Sequence, residues 1–315
     1  MSNDVLNVGI YGYGSMGRRY LSHFLDPDGK GVHFPSGYSL HVIDSDSEVL
    51  SNLSQLDKPN VRCYESFNEC LSSLSDLRGT TLDLVFICTP ASLHDQHLIE
   101  VATNSSRGIL VEKPLTSSSG ELLGAHVVSH GLLDDVISVG YNFRYHPYMT
   151  NLYSNRELIQ DITVYVADDM REWPGKSYDS PLLEYSHELD MVACLTGSPF
   201  VSRVMMSSSQ ISIVGHHRLG KWRVRIRPFH KPSGRWIRLR LIDGTSIGYH
   251  WDVSSKTIEA TYRIQADALE SAWMDHITNK PWDLRCSLAD GFKTTELINQ
   301  VSYAVELQDQ EVSVH

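Results

Sequence analysis

An acid, a base and a proline stand directly behind a short apolar run at Gly108-Ile-Leu-Val-Glu112-Lys113-Pro114-Leu115. Ile109, Leu110 and Val111 have the pattern of a buried parallel strand. A lysine at the carboxyl end of such a strand sits where open α/β sheets bind their ligands, in the crevice outside the strand ends. Partial burial there lowers an amine toward the range in which it exchanges a proton with a substrate. Pro114 restricts Lys113 and stops the strand. A second constellation is Glu184, His187 and Asp190. Spacings of three on a helix set all three on neighbouring parts of one face. A histidine so placed titrates near neutrality, and a carboxylate one turn away can orient it. Asn142 and Arg144 alternate along a strand and its exit, which points them to one side. Arg171-Glu-Trp173-Pro174 is an aromatic–basic loop suited to a sugar face and an anion.

These groups need a scaffold, and the N-terminal sequence supplies one. Val8 and Ile10 lie in an apolar run that leads into Gly12-Tyr-Gly14-Ser15-Met16-Gly17, and a helical segment follows from about Ser15. Gly12 permits a tight turn, Gly14 a close backbone approach to a pyrophosphate, and Gly17 tight helix–strand packing. Ser15 and Met16 open the helix, whose free N–H groups face the phosphates. Leu40-His-Val-Ile43 reads as the second strand and Asp44 ends it, 27 residues beyond Gly17. The Gly/Pro/Asp-rich stretch 26–38 accounts for the extra length as a loop. A carboxylate there accepts hydrogen bonds from a ribose 2′-OH and repels a 2′-phosphate. Asp46 adds to the repulsion, and no arginine occurs between Arg19 and Arg62, so NAD is expected over NADP. Thr89-Pro90 follows a further strand and should border the nicotinamide ribose, with His94 at a helix start and Glu112 on the same cofactor side.

Strands near 6–11, 40–43, 61–64, 82–88, 108–111 and 135–141 alternate with helical segments near 15–25, 45–54, 66–77, 92–104 and 117–131. That order predicts an α/β fold with a parallel, doubly wound sheet. The second half reads differently. Strands at 161–168, 203–214, 221–229, 235–242 and 245–252 are punctuated by turn signals at Lys231-Pro-Ser-Gly234 and Asp243-Gly244. Helical segments near 265–279 and 287–307 follow. The expected division is 1–143 and 144–315.

In this order the glycine loop, Cys88-Thr-Pro90 with His94, Glu112-Lys-Pro114, Gly140-Tyr-Asn-Phe-Arg-Tyr-His-Pro147 and Ser186-His-Glu-Leu-Asp190 resemble the glucose–fructose oxidoreductase / inositol dehydrogenase (Gfo/Idh/MocA) family. The resemblance spans nearly the whole chain. It implies a Rossmann domain followed by an α/β domain with an open, mostly antiparallel sheet. It also implies hydride transfer between a nicotinamide and a carbinol or carbonyl carbon, usually of a sugar, cyclitol or nucleotide-sugar. In similar enzymes the histidine matching His187 faces the substrate beside the lysine matching Lys113, with an acid one turn earlier. Here that acid is Glu184 where aspartate is commoner, and Ala91 stands where an asparagine often follows the proline. The alternatives are a non-catalytic NAD-binding sensor or regulator on the same fold, which would not need Lys113 and His187, and a reductase of a non-sugar substrate. Family members usually oligomerise through the second-domain sheet, so a homodimer or homotetramer is expected.

Composition bounds the rest. The 315 residues are 41% hydrophobic, enough for two ordinary cores. Five scattered cysteines show neither CxxC nor Cys/His metal spacing. With no basic-then-apolar leader and no apolar run approaching a membrane span, they predict a cytoplasmic protein with reduced thiols, no metal and no membrane contact. The net charge is −11, which argues against nucleic acid as a partner. Yet no acid occurs from Val201 through Ile242, while residues 216–240 carry nine Lys/Arg. Lys221, Arg223, Arg225 and Arg227 alternate with Trp222, Val224 and Ile226, and Arg238 and Arg240 repeat the pattern on the next predicted strand. Something anionic is expected on that face: acids of this chain or of a second subunit, or an anionic ligand.

Overall fold

A computed structural model describes residues 6–25, 38–55, 58–75, 81–104, 108–117, 123–124, 136–169, 184–207, 209–251, 261–262, 264–266 and 286–312. The chain divides into two compact units. The first comprises Met1–Gly140 and Tyr262–Leu288, the second Tyr141–Thr261 and Ala289–His315. The expected boundary at 143/144 therefore falls at 140/141, and a contiguous division is corrected by the return of Tyr262–Leu288. Cys286 explains part of that return: its carbonyl accepts from Val139 N–H at 3.0 Å, and Ser287 bridges Ser138.

In the first unit, strands β1 (Leu6–Tyr11), β2 (Tyr38–Ile43), β3 (Val61–Tyr64), β4 (Leu84–Ile87), β5 (Gly108–Val111) and β6 (Ile137–Val139) form one sheet in the order β3-β2-β1-β4-β5-β6. Every pairing is parallel. Helices α1 (Ser15–Leu25), α2 (Ser47–Ser54), α3 (Phe67–Ser75) and α4 (His94–Thr103) connect the strands. β4 and β5 are buried at every position, as uninterrupted apolar runs covered on both faces should be. The strand order reverses between β1 and β4, so the ligand crevice of such a sheet lies at their carboxyl ends. The helix expected at 117–131 lies mostly outside the described residues, as does the one at 265–279.

The second unit adds α5 (Pro147–Ser154), β7 (Ile159–Asp169), α6 (Ser186–Thr196), β8 (Phe200–Ser207), β9 (Gln210–His217), β10 (Gly220–Arg227), β11 (Phe229–Leu241), β12 (Ser246–Trp251) and α7 (Leu288–Val312). Its sheet runs β12-β11-β7-β10-β9-β8, antiparallel except where β10 meets β7. The fold is thus α/β with a parallel Rossmann sheet and a second, mostly antiparallel sheet. Two expectations are corrected. The strand read at 203–214 is a hairpin of β8 and β9, because the Ser207 hydroxyl engages both the N–H and carbonyl of Gln210. Lys231–Gly234 does not turn between neighbours: it lies within β11, at a register shift against β7, and β7 separates β10 from β11. Asp243-Gly244 does turn β11 into β12, with Gly244 at φ +87° and Asp243 accepting from Thr245 N–H.

One face of this second sheet is apolar and packed. Trp222, Val224, Ile226, Ile237 and Leu239 are buried with Leu189, Met191 and Val192 of α6 and with Leu297, Ile298 and Val301 of α7. No described helix is long and apolar enough to cross a membrane.

Candidate active site

Each N-terminal candidate stands just past the carboxyl end of a strand. Gly12 follows β1 with φ +94°, and an added Cβ would meet the Cys88 backbone at 2.8 Å. A Cβ at Gly17 would collide with the Gly12 carbonyl, so the first turn of α1 lies tight against the loop. At Gly14 nothing stands within 4 Å of where a Cβ would be, which leaves the loop open on that side. Ser15 and Met16 begin α1, whose first turn contains no acid. The helix N-terminus thus keeps its full attraction for an anion. Asp44 follows β2. Its Oδ2 accepts from Tyr13 N–H at 2.6 Å and its Oδ1 from Asp46 N–H at 3.0 Å, so backbone donors fix the carboxylate beside the glycine loop. Asp46 is committed otherwise: it caps α2 by accepting from Glu48 and Val49 N–H. The loop therefore has the parts that a dinucleotide needs: an open glycine step, a helix end without competing acid, and an oriented carboxylate. One charge escaped the reading by spacing. Arg18 stands over the Tyr13 ring at 5.4 Å and donates to the Tyr13 carbonyl at 3.4 Å.

Thr89 and Pro90 follow β4. The Thr89 hydroxyl meets His97 Nδ1 at 2.9 Å, and His97 stacks on Tyr11 at 4.2 Å. His94 is buried at the start of α4. Burial lowers its pKa, and that of His97 likewise.

Glu112 and Lys113 follow β5. Glu112 is buried, which pushes its carboxyl up, while Lys113 and the Tyr20 hydroxyl pull it back. It accepts from Tyr20 Oη at 3.0 Å and from Lys113 N–H at 3.2 Å. Gly140 is what lets β6 pass: a Cβ there would sit 3.0–3.2 Å from Glu112. Tyr20 was not legible as a site residue. Its only signal is the packing period it shares with Gly17, Leu21 and Phe24 on the buried face of α1. Lys113 itself is half-buried.

In the second unit the outcome is mixed. α6 begins at Ser186, after a non-helical Tyr185 at φ −93°, ψ 20°. Glu184 is itself helical, and the single turn residue Tyr185 separates it from α6, so the helix expected to be continuous from Glu184 to His187 is interrupted at Tyr185. His187 and Asp190 are both on α6 and buried. The His187 ring stacks on Phe143 at 4.3 Å and meets Tyr141 edge-on at 5.8 Å, which fixes its plane.

Asn142 and Arg144 lie on a short 3-10 turn after β6 (Asn142–Tyr145), not along the strand, so the alternation argument fails for them. Asn142 Nδ2 donates to Thr261 Oγ1 at 2.7 Å, while its buried Oδ1 has no partner among the described residues. Arg144 grips Asp190 in a bidentate pair, Nε to Oδ2 at 2.8 Å and Nη2 to Oδ1 at 2.6 Å, and reaches Asp290 at 2.8 Å. Thr294 also donates to Asp190 at 3.0 Å. Burial pushes the Asp190 carboxyl up against the pull of Arg144, whereas the more accessible Asp290 is held low by Arg144 and Lys293 despite its own partial burial. Both charges expected to meet substrate are thus matched within the unit. The sequence also hid Arg235, which lies on the packed face of β11 and pairs with buried Glu188 at 3.0 Å. Arg171 and Trp173 lie outside the described residues. Among the described residues no cluster of His, Cys, Asp or Glu could hold a metal ion.

With this geometry in place, comparison with known proteins is informative. Residues 6–131 match the model of the oxidoreductase family with an NAD-binding Rossmann fold (Gfo/Idh/MocA). No curated protein matches by sequence. Among solved structures, myo-inositol dehydrogenase of Lactobacillus casei, in complex with NAD(H) and myo-inositol, superposes with a TM-score of 0.75 at 14% identity. The match covers 96% of this chain and 95% of that one. Myo-inositol dehydrogenase of Corynebacterium glutamicum gives 0.72 at 13%, covering 96% of each chain. UDP-N-acetylglucosamine 3-dehydrogenase of Acidithiobacillus ferrooxidans gives 0.69 at 16%, covering 96% and 98%. At such identities the likeness establishes the fold. Residues 6–131 are thus similar to the NAD-binding Rossmann domain of the Gfo/Idh/MocA oxidoreductase family.

Proposed function

We propose that the protein is an NAD-dependent oxidoreductase acting between a carbinol and a carbonyl carbon of a sugar, cyclitol or nucleotide-sugar. The observation that carries the reading is the pairing, in one parallel sheet, of the Gly12–Gly17/Asp44 cradle with a lysine at the end of β5. Structural likeness to inositol and UDP-N-acetylglucosamine dehydrogenases supports the substrate class.

Gly12, Gly14, Ser15, Met16 and Gly17 would hold the pyrophosphate, and Asp44 the adenosine ribose. Thr89, Pro90 and Glu112 would line the nicotinamide side, with His94 behind them, its ring nitrogens taken up by the Thr89 and Pro114 carbonyls. The nicotinamide, when bound, supplies or accepts the hydride. Lys113 Nζ takes the hydroxyl proton in oxidation and returns it to the oxygen in reduction. Glu112 fixes the start of that side chain through the Lys113 N–H. His187 is assigned as the second group on the reacting oxygen, with a ring plane set by Phe143. Glu184 would be the third catalytic group, separated from α6 by the turn at Tyr185. Asn142, with a buried carbonyl oxygen to offer, is the better polar contact of the C-terminal unit. Asp190, on α6, would hold Arg144 and so tie the turn after β6 to that helix. Arg171 and Trp173 would add substrate contacts.

The test is turnover. Purified protein is mixed with NAD and a panel of cyclitols, sugars and nucleotide-sugars, and absorbance of NADH is followed. Reduction of NAD with any of them supports the reading. NADH binding with no turnover on that panel, or on the corresponding ketones with NADH, would favour an NAD-binding regulator.

A further inference from the structure

One buried ring joins two loops of the N-terminal unit that the proposed reaction needs in register. His94 is 1% exposed. Its Nδ1 lies 2.7 Å from the Pro114 carbonyl oxygen and its Nε2 lies 2.8 Å from the Thr89 carbonyl oxygen. Thr89 leaves β4, Pro114 follows Lys113 beyond β5, and β4 and β5 are sheet neighbours. Thr89 is held twice, by His94 on its carbonyl and by His97 on its hydroxyl. The other charged groups near the ring are Asp95 on its own helix and Lys113 across the loop.

Both partners of the ring are pure acceptors. A neutral imidazole donates from one nitrogen only, so it bonds one carbonyl and sets a lone pair against the other. Protonated, it donates to both, but burial opposes that charge. A fully buried polar ring is costly unless it is hydrogen-bonded, so the ring holds its place by the bond it donates.

We propose that His94 is a positioning residue: as the Nδ1–H tautomer it donates to the Pro114 carbonyl, its ring packed beside the Thr89 carbonyl, and so fixes where the Lys113 side chain begins. It rests on the reading of Lys113 as the proton-transfer group. Proton transfer requires heavy atoms within about 2.6–3.2 Å, and a displacement of about 1 Å can cost on the order of a hundredfold in rate. The bond that His94 donates to the Pro114 carbonyl is therefore a lever on turnover rather than on cofactor affinity.

The experiment compares His94→Leu and His94→Gln in the NADH-bound protein. Three quantities are read: kcat on the best substrate of the panel, NADH affinity by fluorescence, and the acylation rate of Lys113 by an amine-directed ester, followed by peptide mass spectrometry. In the leucine variant kcat is expected to fall roughly ten- to hundredfold, with NADH affinity within about threefold. Lys113 acylation should change with kcat. The glutamine variant, whose amide N–H can still reach the Pro114 carbonyl, should recover most of both. An unchanged acylation rate in either folded variant overturns the proposal whatever the substrate is. Equal losses of kcat and NADH affinity, with no recovery in glutamine, would overturn it in favour of a cofactor contact. Altered acylation restored by glutamine, in a protein whose turnover survives Lys113→Ala, would keep the clamp and refute the proton-transfer reading instead.

Discussion

At the scale of single residues, the sequence was most legible where one short segment holds both a special backbone and its chemical partner. Gly12, Gly17 and Lys113 are of this kind: the steric need or strand-end position is local. Asp44 was legible as well, although its selectivity has a complication that spacing could not show. Arg18, one turn into α1, lies against Tyr13, whose N–H holds the Asp44 carboxylate. A cation thus stands on the glycine loop beside Asp44, and we propose that Asp44 is the group that would oppose a 2′-phosphate there. We expect NADH to bind at least about tenfold more tightly than NADPH, equivalent to ~1.4 kcal/mol. Asp44→Ala should narrow the ratio by weakening NADH and strengthening NADPH. Equal affinities in the wild-type protein, measured by fluorescence titration, would mean that Asp44 does not face the ribose. Partners that come from distant segments were not legible. Arg144 looks like a substrate contact until Asp190 and Asp290, 46 and 146 positions away, are seen beside it.

At the scale of elements, the Rossmann half was nearly readable because its periods are strict: apolar runs for β4 and β5, amphipathic helices between. The second sheet was not, because neighbouring strands there are not successive in sequence. Nothing local says that β7 inserts between β10 and β11. Two elements carry stability predictions. The Arg144–Asp190 pair anchors the turn after β6 to α6, and removing one partner strands a buried charge. Asp190→Ala should therefore cost about 3–5 kcal/mol in urea unfolding, far more than a surface ion pair. A loss below about 1 kcal/mol would show that the pair is dispensable. On β2, His41 is fully buried among Ser39, Tyr64 and Asn7. Burial, with Arg62 nearby, lowers its pKa from 6.5 to about 4. Between these values the unfolded chain binds a proton that the folded one refuses, so stability rises with pH across that window and falls on acidification. At about 1.4 kcal/mol per pKa unit the loss from this group reaches at most about 3 kcal/mol. His41→Asn should flatten the change in stability between pH 7 and 4.5. An identical pH dependence in variant and parent would contradict the assignment.

At the scale of the whole molecule, the charge pattern has a partial answer. Trp222, Val224 and Ile226 are packed inside, so Lys221, Arg223, Arg225 and Arg227 occupy the opposite, open face. The like-charge stacking feared between consecutive cationic strands is relieved by β7. Thr163 separates Arg223 from Arg238, and Asp161 stands between Lys221 and Arg240 and pairs with Arg240. Arg203, Arg223, Arg225 and Arg238 still meet no carboxylate among the described residues. We propose that acids of a second copy cover them in a homodimer or homotetramer. Exposed pairs are screened over about 8 Å at physiological salt, so the assembly should loosen as salt rises. Light scattering that shows a monomer at micromolar concentration and low salt would refute the assembly, and a salt-insensitive oligomer would assign its stability to apolar contacts.

The central claim is that this chain moves a proton at Lys113 while a nicotinamide dinucleotide sits in the Gly12–Asp44 cradle. Its most direct test is Lys113→Ala, with kcat and NADH affinity measured on the same preparation. The account predicts that kcat falls by about a thousandfold, within the usual range for a general acid–base group, while NADH affinity stays within about threefold. Turnover within about threefold of the parent, a loss of less than ~0.7 kcal/mol in transition-state stabilisation, would contradict it.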